Sequence, residues 1–129
     1  MFITGVLYPH DADSRELHAY NFIQKIDIAS HIDAMQNMPI VVEFNKDYPV
    51  GRVIHAYIDD LGNVCIVGKI TNMHDLTQYA CLQIGYSYMP EDNIIRDFVC
   101  SLGKETNTLY KGCAWTNVNK KVQLSQRRF

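Results

Sequence analysis

The side chains able to do chemistry are five histidines (His10, His18, His31, His55, His74) and five serines (Ser14, Ser30, Ser87, Ser101, Ser125). A serine becomes a nucleophile when a neighbouring base takes its proton, and histidine is the usual base. No serine stands in a G-x-S-x-G elbow, and no G-x-G-x-x-G, phosphate-loop or H-E-x-x-H pattern occurs. His10 beside Asp11 and Asp13 comes nearest to a metal cluster, but turns collect Asp and His, and a solvated turn accounts for the group. His31 lies near Asp27 and Asp33, where a helix-surface contact is the default. His55 sits mid-strand among apolar neighbours, where a partly buried histidine with a hydrogen-bond partner is expected. The four cysteines, Cys65, Cys81, Cys100 and Cys113, are not at zinc-knuckle spacing. Cys65 and Cys100 lie inside apolar runs, where cysteine behaves as a small buried hydrophobe. With no secretory pattern at the start, all four are expected to be reduced and structural. No metal or cofactor is expected.

These residues need a scaffold. The chain has 129 residues, 47% hydrophobic and 20% charged, which predicts a packed core. Twelve Lys+Arg against fourteen Asp+Glu leave a formal charge of −2, which argues against a general nucleic-acid binder. No apolar run reaches the roughly 18 residues that would span a bilayer, so an intracellular, soluble protein is expected. Strands are predicted at 2–8, 17–22, 39–44, 50–58, 64–70, 84–88, 94–102, 109–115 and 118–124. Asp59 to Asn63 carries the acidic and glycine chemistry of a hairpin turn. Helices are predicted at 27–36, with Ile28, Ile32 and Met35 at helical spacing, and at 73–82, with Leu76, Tyr79 and Ala80 on one side. The sequence reads as one domain over 1–124 with a frayed basic tail at 125–129. Its expected class is mainly β with peripheral helices, as a barrel or sandwich.

The segments Met38-Pro39-Ile40, Val50-Gly51-Arg52-Val53, Asp59-Asp60-Leu61-Gly62 and Val64-Cys65-Ile66-Val67-Gly68 follow one another in an order that resembles the core of the herpesvirus maturation protease, assemblin. That family shows L-P-[LI]-N-I-N-H, then V-G-x-V, a D-x-x-G turn and an F-x-x-G strand. Phage prohead proteases carry a looser version, with P-[IV]-G-R-V. The opening Phe2-Ile3-Thr4-Gly5-Val6-Leu7 is similar to the family's Y-V-x-G-F-L start. Phe98-Val99-Cys100-Ser101-Leu102-Gly103-Lys104-Glu105, running on to Thr108, is similar to H-V-A-L-C-x-x-G-R-R-x-G-T. The resemblance covers most of residues 2–115 and implies an assemblin-like barrel of about seven strands.

The family cuts peptide bonds with a Ser-His-His triad and an arginine-assisted oxyanion hole. Its first histidine stands five residues after the proline, and five after Pro39 is Phe44. A phenyl ring cannot accept a proton. The phage nucleophile segment L-S-I-G-[FY] matches Leu82-Gln83-Ile84-Gly85-Tyr86, with Gln83 in the serine's place; an amide is not a nucleophile at neutral pH. The third member precedes the cysteine by four residues, which gives Arg96, a permanent cation. The arginine pair after the glycine reads Lys104-Glu105, and Glu105 has the wrong sign for an oxyanion. A triad acts as a unit, so the resemblance implies a pseudoprotease, a serine-protease fold without its chemistry. Assemblins also continue into C-terminal helices, one of which forms the dimer interface. This chain ends at Phe129, so a dimer of that kind is not expected.

The first functional reading is a non-catalytic viral protein that binds a protein or peptide through Phe44, Gln83, Tyr86, Arg96 and Glu105. Its partners would be capsid or scaffold proteins or an active protease paralogue, in the host nucleus or cytoplasm, with no role for nucleic acid or membrane. An alternative is an active serine or cysteine endopeptidase whose nucleophile has moved to Ser87 or Cys81, with His55 as base. A second alternative is an unrelated small β-barrel adaptor.

Overall fold

Ile3 and Leu7 are fully buried on a first strand whose other residues are half-buried, the period-two signature of a strand with one face on a core. A computed structural model describes residues 1–10, 28–71, 76–89, 91–92, 94–104 and 113–117. The strands are β1 (Phe2–Tyr8), β2 (Pro39–Val42), β3 (Asn45–Ile58), β4 (Val64–Ile70), β5 (Cys81–Met89), β6 (Ile94–Gly103) and β7 (Trp115–Asn117). They form one curled seven-stranded sheet in the order β5-β6-β2-β3-β4-β1-β7. Neighbours pair antiparallel except β2 with β6, which run parallel.

The two ends of that order meet. Cys81 and Ala114 form a bridge, Leu82 N–H donates to the Cys113 carbonyl at 2.7 Å, and Trp115 N–H donates to the Ala80 carbonyl at 3.1 Å. The curl encloses a core of Ile3, Leu7, Ile40, Val53, Ile66, Leu82 and Leu102, all fully buried. A 3₁₀ helix, Ile28–Met35, kinks at His31 and buries Ile28 and Met35 against this core. It realises the helix predicted at 27–36, although Asp27 lies outside the described residues.

Before the start of β2, the β3 backbone finds a side chain in place of a strand. Gln36 Nε2 donates to the Ala56 carbonyl at 2.7 Å, and Gln36 Oε1 accepts from Ala56 N–H at 3.0 Å. Gln36→Leu would strip both partners from one residue, at a cost of about 2–3 kcal/mol readable as a lowered midpoint in urea. At the β3–β4 turn, Asp59 accepts from Leu61 N–H at 3.0 Å and from Asn63 N–H and Nδ2 at 2.9 Å. These bonds, those from Asn63 foremost, hold its carboxyl below the ordinary value and confirm the turn read from the sequence.

The helix predicted at 73–82 needs correction. Tyr79 N–H closes a turn on the Leu76 carbonyl at 2.9 Å, and Cys81 and Leu82 already belong to β5. Apolar residues three apart fit a tight turn as well as a helix, and the cross-bonds to 113–115 draw 80–82 into the sheet. Of the strand predicted at 109–115, Trp115 belongs to β7 and Cys113 and Ala114 lead into it; residues 109–112 lie outside the described residues. So do the strands predicted at 17–22 and 118–124, the tail at 125–129, and residues 72–75. Among the described residues, no helix is long and apolar enough to cross a membrane, and no group of His, Cys, Asp and Glu could hold a metal.

Candidate functional site

The hairpin joining β2 to β3 places Phe44. Val42 pairs with Asn45 across it, and the two residues between, Glu43 and Phe44, have φ of 51° and 57°. Positive φ at both central positions is the type I′ turn, which favours Asn-Gly and is strained for a bulky residue. Two contacts with β6 hold it. Glu43 N–H donates to the Leu102 carbonyl at 2.9 Å, and Phe44 N–H donates to Ser101 Oγ at 2.8 Å. After the turn, three residues of β3 (Lys46, Asp47, Tyr48) have no counterpart on β2 and bulge outward. Phe44 is 45% exposed and Tyr48 66%, so the hairpin tip carries two aromatic rings partly in solvent.

Below the tip lies the outer face of β2, β6 and β5. Register places Val41, Ser101 and Gln83 in one row and Val99 beside Gly85 in the next. Val41, Ser101, Gln83 and Val99 are all buried, yet none belongs to the core cluster; they form a second packed layer outside the barrel. The Phe44 ring rests on Gly85, so close that a Cβ there would lie 3.1 Å from its Cδ1 and Cε1. Phe44 and Gln83 therefore share one face, linked through Ser101 and Gly85.

Arg96 pairs with Ser87 further along, beyond a bulge at Asp97, whose φ is 59°. Ser87 is four residues from Gln83, about 13 Å along a strand. The Arg96 side chain is 61% exposed and its Nε lies 3.7 Å from Asp97 Oδ2. Register thus sets Arg96 four residues along β5 from Gln83 and two from Gly85. Tyr86 turns the other way and packs on Phe98, ring centroids 6.1 Å apart, beside the core. Lys104 is exposed just past the end of β6, and Glu105 lies outside the described residues.

The residues of the relocated-nucleophile reading are spread out. Cys81 is buried at the start of β5, and Ser87 lies six residues on. His55 is exposed on β3, stacked on Tyr57 with centroids 5.2 Å apart. In the sheet order, β6 and β2 separate β3 from β5, about 14 Å at roughly 4.8 Å per strand. His31 packs on Phe98 with centroids 5.6 Å apart, and His10 Nδ1 lies 3.0 Å from Asn63 Oδ1. His18 and His74 lie outside the described residues.

The described face offers a ring, an amide and a hydroxyl that accepts a backbone hydrogen bond. Ser101 and Gly85 were not singled out as site residues from the sequence. Their signal was the register that sets them against Gln83 and Phe44, which needs the sheet.

The cysteines behave as buried hydrophobes. Burial pushes the Cys100 thiol up to about 12 from 9.0, and burial with the Asp59 charge pushes Cys65 to about 11. Burial, with Cys81 nearby, pushes Cys113 to about 11. Iodoacetamide near neutral pH should therefore leave Cys65, Cys100 and Cys113 unmodified in the native chain and alkylate all three after unfolding, as read by mass spectrometry. A raised thiol pKa contributes stability below the unfolded value of 9.0 and loses it as the pH climbs further.

No family model matches the chain, and no curated protein matches it. Solved structures do. The protease of Kaposi's sarcoma herpesvirus in complex with an allosteric inhibitor superposes with a TM-score of 0.54 at 13% identity, over 99% of this chain and 82% of that one. A room-temperature crystal structure of the same protease with compound 733 gives 0.52 at 13% identity, over 89% of this chain and 74% of that one. A third, with compound 250, gives 0.54 over the same shares as the first. In its curled seven-stranded sheet, this chain is similar to the herpesvirus maturation protease and has an assemblin-like fold.

Proposed function

We propose that this chain is a non-catalytic protein of herpesvirus-protease-like fold that works by binding a protein or peptide at the β2–β3 hairpin tip. The observation that carries the proposal is the Phe44 ring seated over Gly85, on the face that also holds Gln83. Where the resemblance asks for an imidazole and a hydroxyl, the face presents an apolar ring and an amide. Neither transfers a proton at neutral pH. The partly exposed ring suits recognition through apolar contact, while Gln83 is buried in the layer beneath it. Tyr48, 66% exposed on the adjoining bulge, adds a second aromatic anchor of the kind that dominates binding energy. The strained Glu43-Phe44 turn fits the same role, because unfavourable backbone geometry collects at functional sites. The partner class that fits is a capsid or scaffold protein, or an active protease of the same fold, inside an infected cell.

Selection of displayed random peptides against the immobilised protein tests this. Enriched peptides should bind the wild type and lose about tenfold in affinity to Phe44→Ala, whose fold is checked by circular dichroism. Failure to enrich any peptide, or equal binding by folded Phe44→Ala, would contradict the proposal.

A further inference from the structure

The register aligns Pro39, Arg52, Lys69 and Phe2 as successive partners across β2, β3, β4 and β1. Their chain neighbours Ile40, Val53, Ile70 and Ile3 are all buried in the core. Strand alternation therefore puts the whole row on the outer face of the sheet. Arg52 and Lys69, both exposed, stand directly opposite each other on antiparallel neighbours. Partners so placed have Cβ atoms about 5 Å apart, and like charges there repel.

Part of Arg52 has a structural task. Its Nη1 donates to the Asn37 carbonyl at 2.8 Å, where Asn37 turns the chain out of the 3₁₀ helix with φ of 63°. That bond uses one of five guanidinium donors. It explains neither the rest of the fork nor Lys69. Among the described residues the ion pair is Arg96–Asp97, and no described carboxylate neutralises Arg52 or Lys69. Half-buried Pro39 and Phe2 flank the two cations at either end of the row.

We infer that this row is a docking surface for an acidic peptide segment of a partner protein. A carboxylate laid across Arg52 and Lys69 would turn their repulsion into shared attraction, since a planar fork and a compact ammonium both match it. Pro39 and Phe2 would receive apolar side chains next to the acid. An acidic polypeptide is favoured over a nucleic acid because the chain's formal charge is −2, so the positive field is local. The two cations lie on β3 and β4, with β6 and β2 between them and Gly85 on β5, and the inference does not depend on the binding role proposed at the hairpin tip.

The probe is a fluorescent oligoglutamate peptide read by anisotropy, with oligoglutamine as the neutral control and oligothymidylate as competitor. The expected result is tighter binding of oligoglutamate than of oligoglutamine, weakening as salt rises. Lys69→Glu should lower that affinity about tenfold while raising Tm by about 2 °C, because it replaces repulsion with a cross-strand ion pair. A protein made unstable by the change could not show both signs. Equal binding of the two peptides, undiminished binding by Lys69→Glu, or a Tm lowered by that substitution would overturn the inference. Displacement of oligoglutamate by far less oligothymidylate would overturn it in favour of a nucleic-acid surface.

Discussion

Gly51→Ala is expected to cost more than about 3 kcal/mol, a large share of a small domain's stability. A methyl group at 51 would overlap the Lys69 carbonyl oxygen and come within 3.0 Å of Ile70 Cα. The three nearest atoms are all backbone, so no side-chain rotation relieves the overlap. Relief requires β3 to move off β4, and these strands pair from Gly51 to Ile58. Thermal unfolding followed by circular dichroism should show Tm lowered by about 10 °C or more. A Tm within about 2 °C of the wild type would mean the strands lie further apart than described.

Gly85→Val has the second largest expected effect, and it reports on the candidate site. A Cβ at 85 would lie 2.7 Å from Val99 Cγ2 and 3.1 Å from two atoms of the Phe44 ring. The valine must expel the ring, which loosens the hairpin tip and costs about 1–3 kcal/mol. Peptide binding at the tip should fall with it. The diagnostic is a double-mutant cycle with Phe44→Ala. Removing the ring makes room for the valine, so the double variant should be about 1 kcal/mol more stable than the sum of the two single costs predicts. Additive costs would show that ring and glycine are not in contact.

Much of the sheet was legible because its strands are short apolar, β-prone runs bounded by turn residues. The run 64–70 and the opening strand 2–8 were read residue for residue, and the turn at Asp59-Asp60-Leu61-Gly62-Asn63 announced itself by composition. The end of β2 was not legible. The strand was expected to run to Phe44 and stops at Val42, because Glu43-Phe44 forms a primed turn without the glycine or asparagine that normally marks one. The turn is imposed from β6, through Leu102 and Ser101, far away in sequence. Residues 73–82 misled for the opposite reason: a local apolar spacing was genuine, but pairing with 113–115 overrode it.

The candidate site divides along the same line. Phe44 and Gln83 were reached through a resemblance made of short collinear segments, and register sets them on one face. What joins them, Ser101 under the turn and Gly85 under the ring, is a product of cross-strand pairing that no single segment encodes. Arg96 illustrates the limit. Counting along the chain sets it level with a triad member, while the bulge at Asp97 and its 61% exposed side chain leave it in solvent beside that aspartate.

The central claim is that this protease-like fold binds without cutting. Its most direct test is prolonged incubation of the purified chain with a diverse peptide library, followed by mass spectrometry, with a fluorophosphonate probe applied in parallel. Intact peptides and no stoichiometric label on any serine are the expected result. Turnover of even one peptide that vanishes when a single labelled side chain is replaced would contradict it.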